Sequence, residues 1–196
     1  DHGHIYGQCN GLIEAGGELA WVYDPDPAKV KAFVERYPQA KVARTLDEIL
    51  DNQTVKLVTA AAIPSERGPI GCRVMEAGKD YFTDKTPFTS LEQLDDAKRV
   101  VAKTGRKYSV YFSERLHVES AMFATDLIQQ GAIGRVIQVI GLGPHRIGHK
   151  ENRPKWFYEK AKYGGILCDI GSHQFEQFLT FAGATDASVT QAAVGN

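Results

Sequence analysis

Short apolar runs and amphipathic stretches alternate along the first 112 residues. The apolar runs predict five strands, over residues 19–23, 42–43, 55–61, 79–83 and 108–112. Apolar positions at helical spacing fill the intervals. One such helix, over 91–104, is followed by Gly105, and another begins at the Thr45/Glu48 capping box. Strands that alternate with helices predict a parallel sheet with crossover helices, a doubly wound α/β domain.

This alternation ends near Ser113. The pattern then predicts a helix over 117–130, a β run over 135–142, a loop over 143–163, a helix carrying Asp169 and His173, and a last strand over 188–194. We therefore predict two domains, an α/β domain over 1–112 and a partial α+β domain over 113–196. The sequence starts within a glycine-bearing loop, so we expect the first strand of the α/β domain to lie outside it.

Composition excludes several classes of partner. The 196 residues carry a net charge of −1 and include three widely spaced cysteines. Near-neutral charge predicts binding to neither nucleic acid nor an anionic membrane surface. No apolar run reaches the roughly 18 residues of a membrane span, and no signal peptide is visible. These features favour a reducing compartment, and we expect a cytoplasmic protein with a small-molecule substrate.

Acidic and glycine residues in the α/β part predict a dinucleotide site. Asp24 directly follows the strand 19–23, where an acidic residue hydrogen-bonds the adenosine ribose in doubly wound folds. A carboxylate there would repel a 2′-phosphate, so NAD is favoured over NADP; the alternative is that Asp24 is a turn residue before proline. The full set of predicted cofactor contacts adds the helix start at Gly3, His4 and Ile5, and the loop residues Ala61, Ile63 and Pro64.

Asp169 and His173 form a second candidate pair. On one continuous helix they would be i,i+4 neighbours, about 5–6 Å apart at Cβ. A carboxylate beside an imidazole fixes its tautomer and raises its basicity, as a general base requires. The alternative is that Asp169 caps the helix and that His173 is a hydrogen-bonded core residue.

Three segments resemble the Gfo/Idh/MocA oxidoreductases, namely MEAGKDYFTDKTP at 75–87, GAIGRV at 131–136 and GGILCDIGSH at 164–173. The resemblance implies a Rossmann domain followed by a domain with a large open mixed sheet, with substrate and nicotinamide meeting at their junction. It also implies that the first strand and the final third of such a protein are missing here, and that the full-length form is a homo-oligomer.

Site residues follow from the same resemblance. Lys85 corresponds to the lysine that binds the reacting hydroxyl and the nicotinamide ribose, Asp169 to the residue that orients the substrate or the base, and His173 to the general base. Asp84 stands where a glutamate is usual and joins Lys85 among the predicted cofactor contacts.

Residues after the last α/β strand and in the loop 143–163 are predicted to contact substrate. They are Glu114, Arg115, Arg146, Arg153, Trp156 and Tyr163. An interdomain salt bridge is the alternative for Glu114 and Arg115, and ordinary packing is the alternative for Tyr163. His145 and His149 have a metal-ligand spacing, but nearby glycines and a proline argue against a rigid site, and we predict no metal.

These residues predict an NAD(P)-dependent oxidoreductase that acts on a secondary alcohol of a sugar, inositol or related polyol. Two alternatives stay open: an NAD-dependent glycosidase of the same family, or an inactive protein that senses a dinucleotide or sugar.

Overall fold

The computed structural model describes residues 2–143, 145, 148, 151 and 153–193. Its α-helices are α1 His4–Glu14, α2 Pro27–Arg36, α3 Leu46–Leu50, α4 Pro64–Glu76, α5 Leu91–Thr104, α6 Ser113–Leu116, α7 Glu119–Gln129, α8 Lys160–Tyr163, α9 Ile166–Asp169 and α10 Gly171–Ala182. The strands are β1 Trp21–Val22, β2 Lys41–Val42, β3 Leu57–Ala60, β4 Asp80–Asp84 and β5 Tyr108–Tyr111, and Lys155–Tyr158 forms a 3₁₀ helix.

The five strands pair in parallel, which confirms the predicted α/β class. Among the described residues they form two sheets, β1–β2 and β3–β4–β5. A cavity of about 1110 Å³ is lined by residues of both β1 and β3. The sheet edges of β1 and β3 that are turned away from their neighbours therefore border open space.

Local sequence signals set the helix ends. Asp26 caps α2, where its carboxylate accepts from the backbone N–H of Ala28 at 2.9 Å, and Pro27 opens the helix. Thr45 accepts from the N–H of Glu48 at 3.2 Å, as predicted. The Glu48 carboxylate, however, accepts from the N–H of Arg44 rather than completing a reciprocal box with Thr45.

One apolar core lies against the β3–β4–β5 sheet, between α4, α5 and β4. Buried Val74, Met75, Tyr81 and Val100 pack together there. Gly71 is required by this packing, because a Cβ on it would lie 2.6 Å from carbons of both Tyr81 and Tyr108. The glycine lets α4 approach the aromatic side chains of β4 and β5 closely.

The buried Tyr81 hydroxyl makes the fold sensitive to alkali. Burial raises the pKa of Tyr81 from 10.0 to about 12, so the unfolded chain loses this proton first as pH rises. The contribution of the buried, neutral Tyr81 phenol to the free energy of unfolding is complete below pH 10 and is lost between pH 10 and pH 12. We expect the native chain to lose about 1 kcal/mol more unfolding free energy between pH 9 and 11 than Tyr81→Phe does. Urea denaturation at both pH values measures this difference. The exposed Tyr23→Phe change is the control, and equal losses in Tyr81→Phe and native protein would contradict the prediction.

Contacts divide the chain into two units. One contains 1–111 and 156–164, and the other contains 112–155 and 165–196. The division at 111/112 lies beside the boundary predicted near Ser113. In the first unit α8 packs against α4, so Trp156–Gly164 is grouped there although the sequence-based division assigned it to the second domain.

In the described part of the second unit, the elements of regular secondary structure are all helices. Contacts join α6, α7, α9 and α10. The strands predicted over 135–142 and 188–194 are wrong for the described residues, which form no ladder there, and Val194 lies outside that set. Ile137 and Leu142 are 85% and 86% exposed. An alternating apolar run becomes a strand only when a partner accepts its main-chain hydrogen bonds, and the described residues supply none for these segments.

Other boundaries also differ from the predictions. The loop 143–163 contains a 3₁₀ helix and α8, the helix predicted over 117–130 begins at Glu119, and the preceding short helix α6 was not predicted. Within the described part of the chain, no helix is both long enough and apolar enough to cross a bilayer.

Candidate functional site

The start of α1 is tied to the carboxyl ends of two parallel strands. The backbone N–H of His2 donates to the carbonyl of Ala61, just after β3, at 2.9 Å. The Nδ1 atoms of His2 and His4 lie 3.1 and 2.9 Å from the two carboxylate oxygens of Asp84, the last residue of β4. Ligands of open α/β sheets bind in the crevice outside these strand ends. The first unit therefore carries a cluster of polar side chains at the edge where such folds bind ligands.

Asp84 is the buried centre of this cluster. The carboxylate is fully buried, and the guanidinium Nη2 of Arg67, itself 1% exposed, lies 3.3 Å from Oδ2. Burial alone would raise the pKa of Asp84, but hydrogen bonds from His2 and His4 and the charge of Arg67 outweigh it and hold the pKa well below its usual range. Burial lowers the pKa of His2, despite the nearby carboxylate. Asp84 is thus a permanent buried anion at neutral pH.

Arg67 also fixes the surrounding main chain. Its Nε donates to the carbonyl of Ala62 at 2.7 Å, and its Nη1 donates to the carbonyl of Lys85. One side chain in α4 thereby connects the loop after β3 with the segment after β4. Lys85 is 8% exposed and precedes Thr86 through a cis peptide bond. The predicted catalytic lysine thus has its backbone anchored by a buried cation.

Sequence reasoning missed two residues of this cluster. Arg67 was not predicted, because an arginine in the first turns of a helix is normally solvated. His2 was not predicted either; it precedes α1 in a short glycine-bearing segment. The available signal was the spacing His2-x-His4 at a loop end, but its partner Asp84 is 80 residues away from His4 in sequence.

The cluster offers three atoms with metal-ligand chemistry. His2, His4 and Asp84 contribute atoms that all lie within 4.8 Å of one another. Arg67 already compensates the single negative charge, and the N-terminus of α1 adds positive partial charge at the same place. This electrostatic balance disfavours a divalent cation, and the absence of a metal site stays a prediction.

The geometry fits a dinucleotide at the start of α1. Gly3 has φ −62°, and a Cβ on it would meet nothing within 4 Å, so neither conformation nor packing requires glycine there. Gly3 is the N-cap of α1, a position that glycine occupies well, and without a side chain it leaves the N-terminal amides of the helix open to a ligand. Gly3, Ile5, Asp24 and Ala61 all line the 1110 Å³ cavity.

Three predicted cofactor contacts, Asp24, Ile63 and Pro64, lie after the ends of β1 and β3. Asp24 follows β1, and its Oδ1 accepts from the N–H of Asp26 at 2.9 Å, so the turn alternative describes part of its role. The loop predicted over 63–65 is shorter than expected, since Ile63 is the N-cap of α4 and Pro64 is its first residue.

In the second unit, His173 lies in the first turn of α10 and is 2% exposed. Its Nε2 is 3.8 Å from Oε1 of Glu114, and the same oxygen is 3.3 Å from Nε2 of His145. The Phe112 ring meets the imidazole edge-on, with centroids 6.1 Å apart. A carboxylate thus lies between two imidazoles.

Asp169 and His173 do not share one continuous helix. Asp169 ends α9, Ile170 forms a turn, and α10 starts at Gly171. The i,i+4 arrangement on one helix is therefore wrong. Asp169 is nevertheless buried, at 8% exposure, four residues before the imidazole.

Arg115 makes an ion pair within the second unit. Its Nε donates to both carboxylate oxygens of Glu176, at 2.7 and 3.0 Å, and Thr180 donates to the same carboxylate at 3.1 Å. Both partners belong to the second unit, so the alternative of an interdomain salt bridge is wrong for Arg115, while its contact with substrate stays a prediction. The pair ties α6 to α10 and so positions Glu114.

The remaining substrate candidates fall in different places. Trp156 is buried and Tyr163 stacks on Phe157 with centroids 5.9 Å apart, both within the first unit. Arg153 is half-buried in the second unit. Arg146 and His149 lie outside the described residues.

Family comparisons cover most of the chain. The profile of an oxidoreductase family with an NAD-binding Rossmann fold, GFO/IDH/MocA, matches residues 3–112. The profile of the GFO/IDH/MocA C-terminal domain matches residues 122–195.

Individual proteins agree with these profiles. A D-xylose dehydrogenase from Paenarthrobacter nicotinovorans is 25% identical over 150 residues, which cover 74% of this chain and 38% of that protein. A crystal structure from Erwinia carotovora atroseptica, described as an oxidoreductase, is 50% identical with a TM-score of 0.87 and is matched over 93% of this chain and 54% of its own. A levoglucosan dehydrogenase in complex with NADH and levoglucosan shares the fold, at 21% identity and a TM-score of 0.75, over 85% of this chain and 45% of its own. The chain thus spans about half or less of the length of these proteins.

Proposed function

The chain belongs to the GFO/IDH/MocA oxidoreductases and contains their NAD-binding Rossmann domain, and from this premise we propose that the protein oxidises a secondary alcohol of a sugar, inositol or related polyol with NAD. The observation that carries the proposal is the anchoring of the α1 start to the strand ends at Ala61 and Asp84. Dehydrogenases for D-xylose and levoglucosan among the similar proteins favour this substrate class.

Each part of the proposed dinucleotide site has its own role in binding. Gly3 allows the dinucleotide to approach the N-terminal amides of α1, and Asp24 accepts hydrogen bonds from the ribose hydroxyls. Asp84, Arg67, His2 and His4 form the rigid base of this crevice.

The chemical step needs a proton acceptor and an electrostatic stabiliser. Bound NAD would accept the hydride at its nicotinamide ring. His173 removes the hydroxyl proton, because its imidazole is buried in the second unit and faces the carboxylate of Glu114. Lys85 stabilises the developing alkoxide through its ammonium group, and Asp169 orients substrate or base.

A spectrophotometric screen tests the proposed reaction. Full-length natural protein is mixed with NAD and each of a panel of sugars, inositols and other polyols, and the absorbance band of NADH is followed. Net NADH formation with one of these compounds supports the proposal. Binding of NAD without net NADH formation on any of them contradicts it.

Asp24 is expected to set the cofactor preference. Its carboxylate would repel the 2′-phosphate of NADP, so we expect at least about tenfold tighter binding of NAD than of NADP. The Asp24→Asn variant should bind NAD only a few-fold more tightly than NADP, mainly because its binding of NADP improves. Calorimetric titration with both dinucleotides measures the ratio. Asp26→Asn is the matched control, since Asp26 is exposed and asparagine also caps helices well. A native protein that binds both cofactors equally would contradict this prediction.

A further inference from the structure

We propose that Glu114 and His145 form a proton exit path from His173, an inference that rests on the proposed alcohol oxidation. Each turnover transfers a hydride from carbon to NAD and releases one proton from the hydroxyl oxygen. His173 is 2% exposed and therefore cannot deliver that proton directly to bulk water. The buried base needs an acceptor that connects it with solvent.

The exposed fraction of the side chain increases from His173 to Glu114 to His145. The side chain of His173 is 2% exposed, that of Glu114 is 31% exposed and that of His145 is 45% exposed. The same carboxylate oxygen of Glu114 faces Nε2 of both imidazoles, at 3.8 and 3.3 Å. These distances are about 0.5–1 Å longer than hydrogen bonds, a gap that rotation of the half-exposed carboxylate closes. Glu114 thus alternates between an inner and an outer imidazole.

The proton balance of the path is simple. The hydroxyl proton arrives at Nδ1 of His173, and the proton on Nε2 leaves to Oε1 of Glu114. Glu114 then passes a proton to Nε2 of His145, which releases one to water from its other ring nitrogen. All three groups return to their starting charge after tautomer exchange, and the only net product besides the ketone and NADH is one solvated proton.

The surrounding charges keep the carboxylate in place. Arg115, the next residue along α6, is saturated by Glu176 of α10, so it does not neutralise Glu114. This bidentate pair fixes the register of α6 against α10 and hence the approach of Glu114 to His173. Asp169, at the end of α9, is four residues before His173, and it is buried rather than open to solvent.

The test compares Glu114→Gln with native full-length protein on the sugar or polyol found in the screen. Glutamine keeps the shape of the side chain, but its amide cannot accept a proton from one imidazole and pass it to the other. We expect kcat to fall by on the order of tenfold or more with KM within twofold, and formate or imidazole added at increasing concentration to restore kcat. His145→Gln should give a smaller fall with the same rescue. Glu119→Gln, an exposed acidic residue in the first turn of α7, is the control with unchanged kinetics.

Two outcomes overturn the path: a kcat of Glu114→Gln within twofold of native, or a fall in kcat that neither formate nor imidazole restores. The second outcome would show a structural role for Glu114. Absence of NADH formation by the native protein itself overturns the proposed function and the exit path together, and it is recognised without any variant.

Discussion

Replacing His173 by alanine is expected to lower kcat by about 10²–10⁴-fold while leaving NAD affinity within twofold. The imidazole is the group proposed to take the hydroxyl proton, and it belongs to the second unit, whereas the proposed dinucleotide contacts lie in the first. Removing a general base therefore costs the chemical step and spares cofactor binding. Steady-state kinetics on full-length protein and calorimetric titration with NAD measure the two effects separately.

His117→Ala is the matched control for this change. His117 is an exposed histidine at the C-terminus of α6 in the same unit, and its loss should leave kcat unaltered. Because His173 is buried, its alanine variant also needs a check of folding by thermal melting. Turnover by a folded His173→Ala protein at the native rate would exclude the imidazole as the base.

Arg67→Met is expected to destabilise the first unit by about 3–5 kcal/mol. The substitution keeps most of the side-chain volume but leaves the carboxylate of Asp84 buried with no guanidinium beside it. It also removes the donors to the carbonyls of Ala62 and Lys85. Urea denaturation at pH 7 gives the change in unfolding free energy.

Arg73→Met provides the comparison within the same helix. Arg73 is 53% exposed and pairs with Asp47 at 2.6 Å, so its loss should cost no more than about 1 kcal/mol. Adding Asp84→Asn to Arg67→Met should recover part of the loss, because the uncompensated charge is then gone. Equal costs for Arg67→Met and Arg73→Met would rule out the buried pair as a stabilising contact.

Acid titration gives a second measure of the same pair. Because the pKa of Asp84 is held below its ordinary 3.8, its contribution to stability is present above that pH and is lost as the pH falls further. Arg67→Met should weaken this dependence, since one source of the lowered pKa is removed.

The order of strands and helices in the first unit was predictable because each element carries a local signal. Apolar runs mark β3 and β4, and Ser90 and Gly105 mark the ends of α5. The alternating run at 135–142 carries an equally clear signal, yet it forms no strand among the described residues. A strand also needs a partner, and the sequence of one segment contains no information about whether that partner is present.

Residues of the candidate site could be predicted where they belong to one contiguous sequence motif. The segments around Lys85 and His173 were found by their resemblance to a family. The contacts Arg67–Asp84 and Glu114–His173 could not be predicted in this way. Their residues are 17 and 59 positions apart in the sequence, and charged residues are mostly solvated. Only the packing of α4 on β4 and of α6 on α10 brings them together.

The cavity between β1 and β3 has a consequence for handling the chain. Residues of both strands line this cavity, and the N–H of His2 bonds the carbonyl of Ala61 directly after β3. An extended segment that pairs with either strand would enlarge its sheet, as peptides do at exposed sheet edges. The run 135–142 of another molecule, in which Ile137 and Leu142 are 85% and 86% exposed, is one such segment. We therefore expect this polypeptide to self-associate as its concentration rises, which light scattering measures.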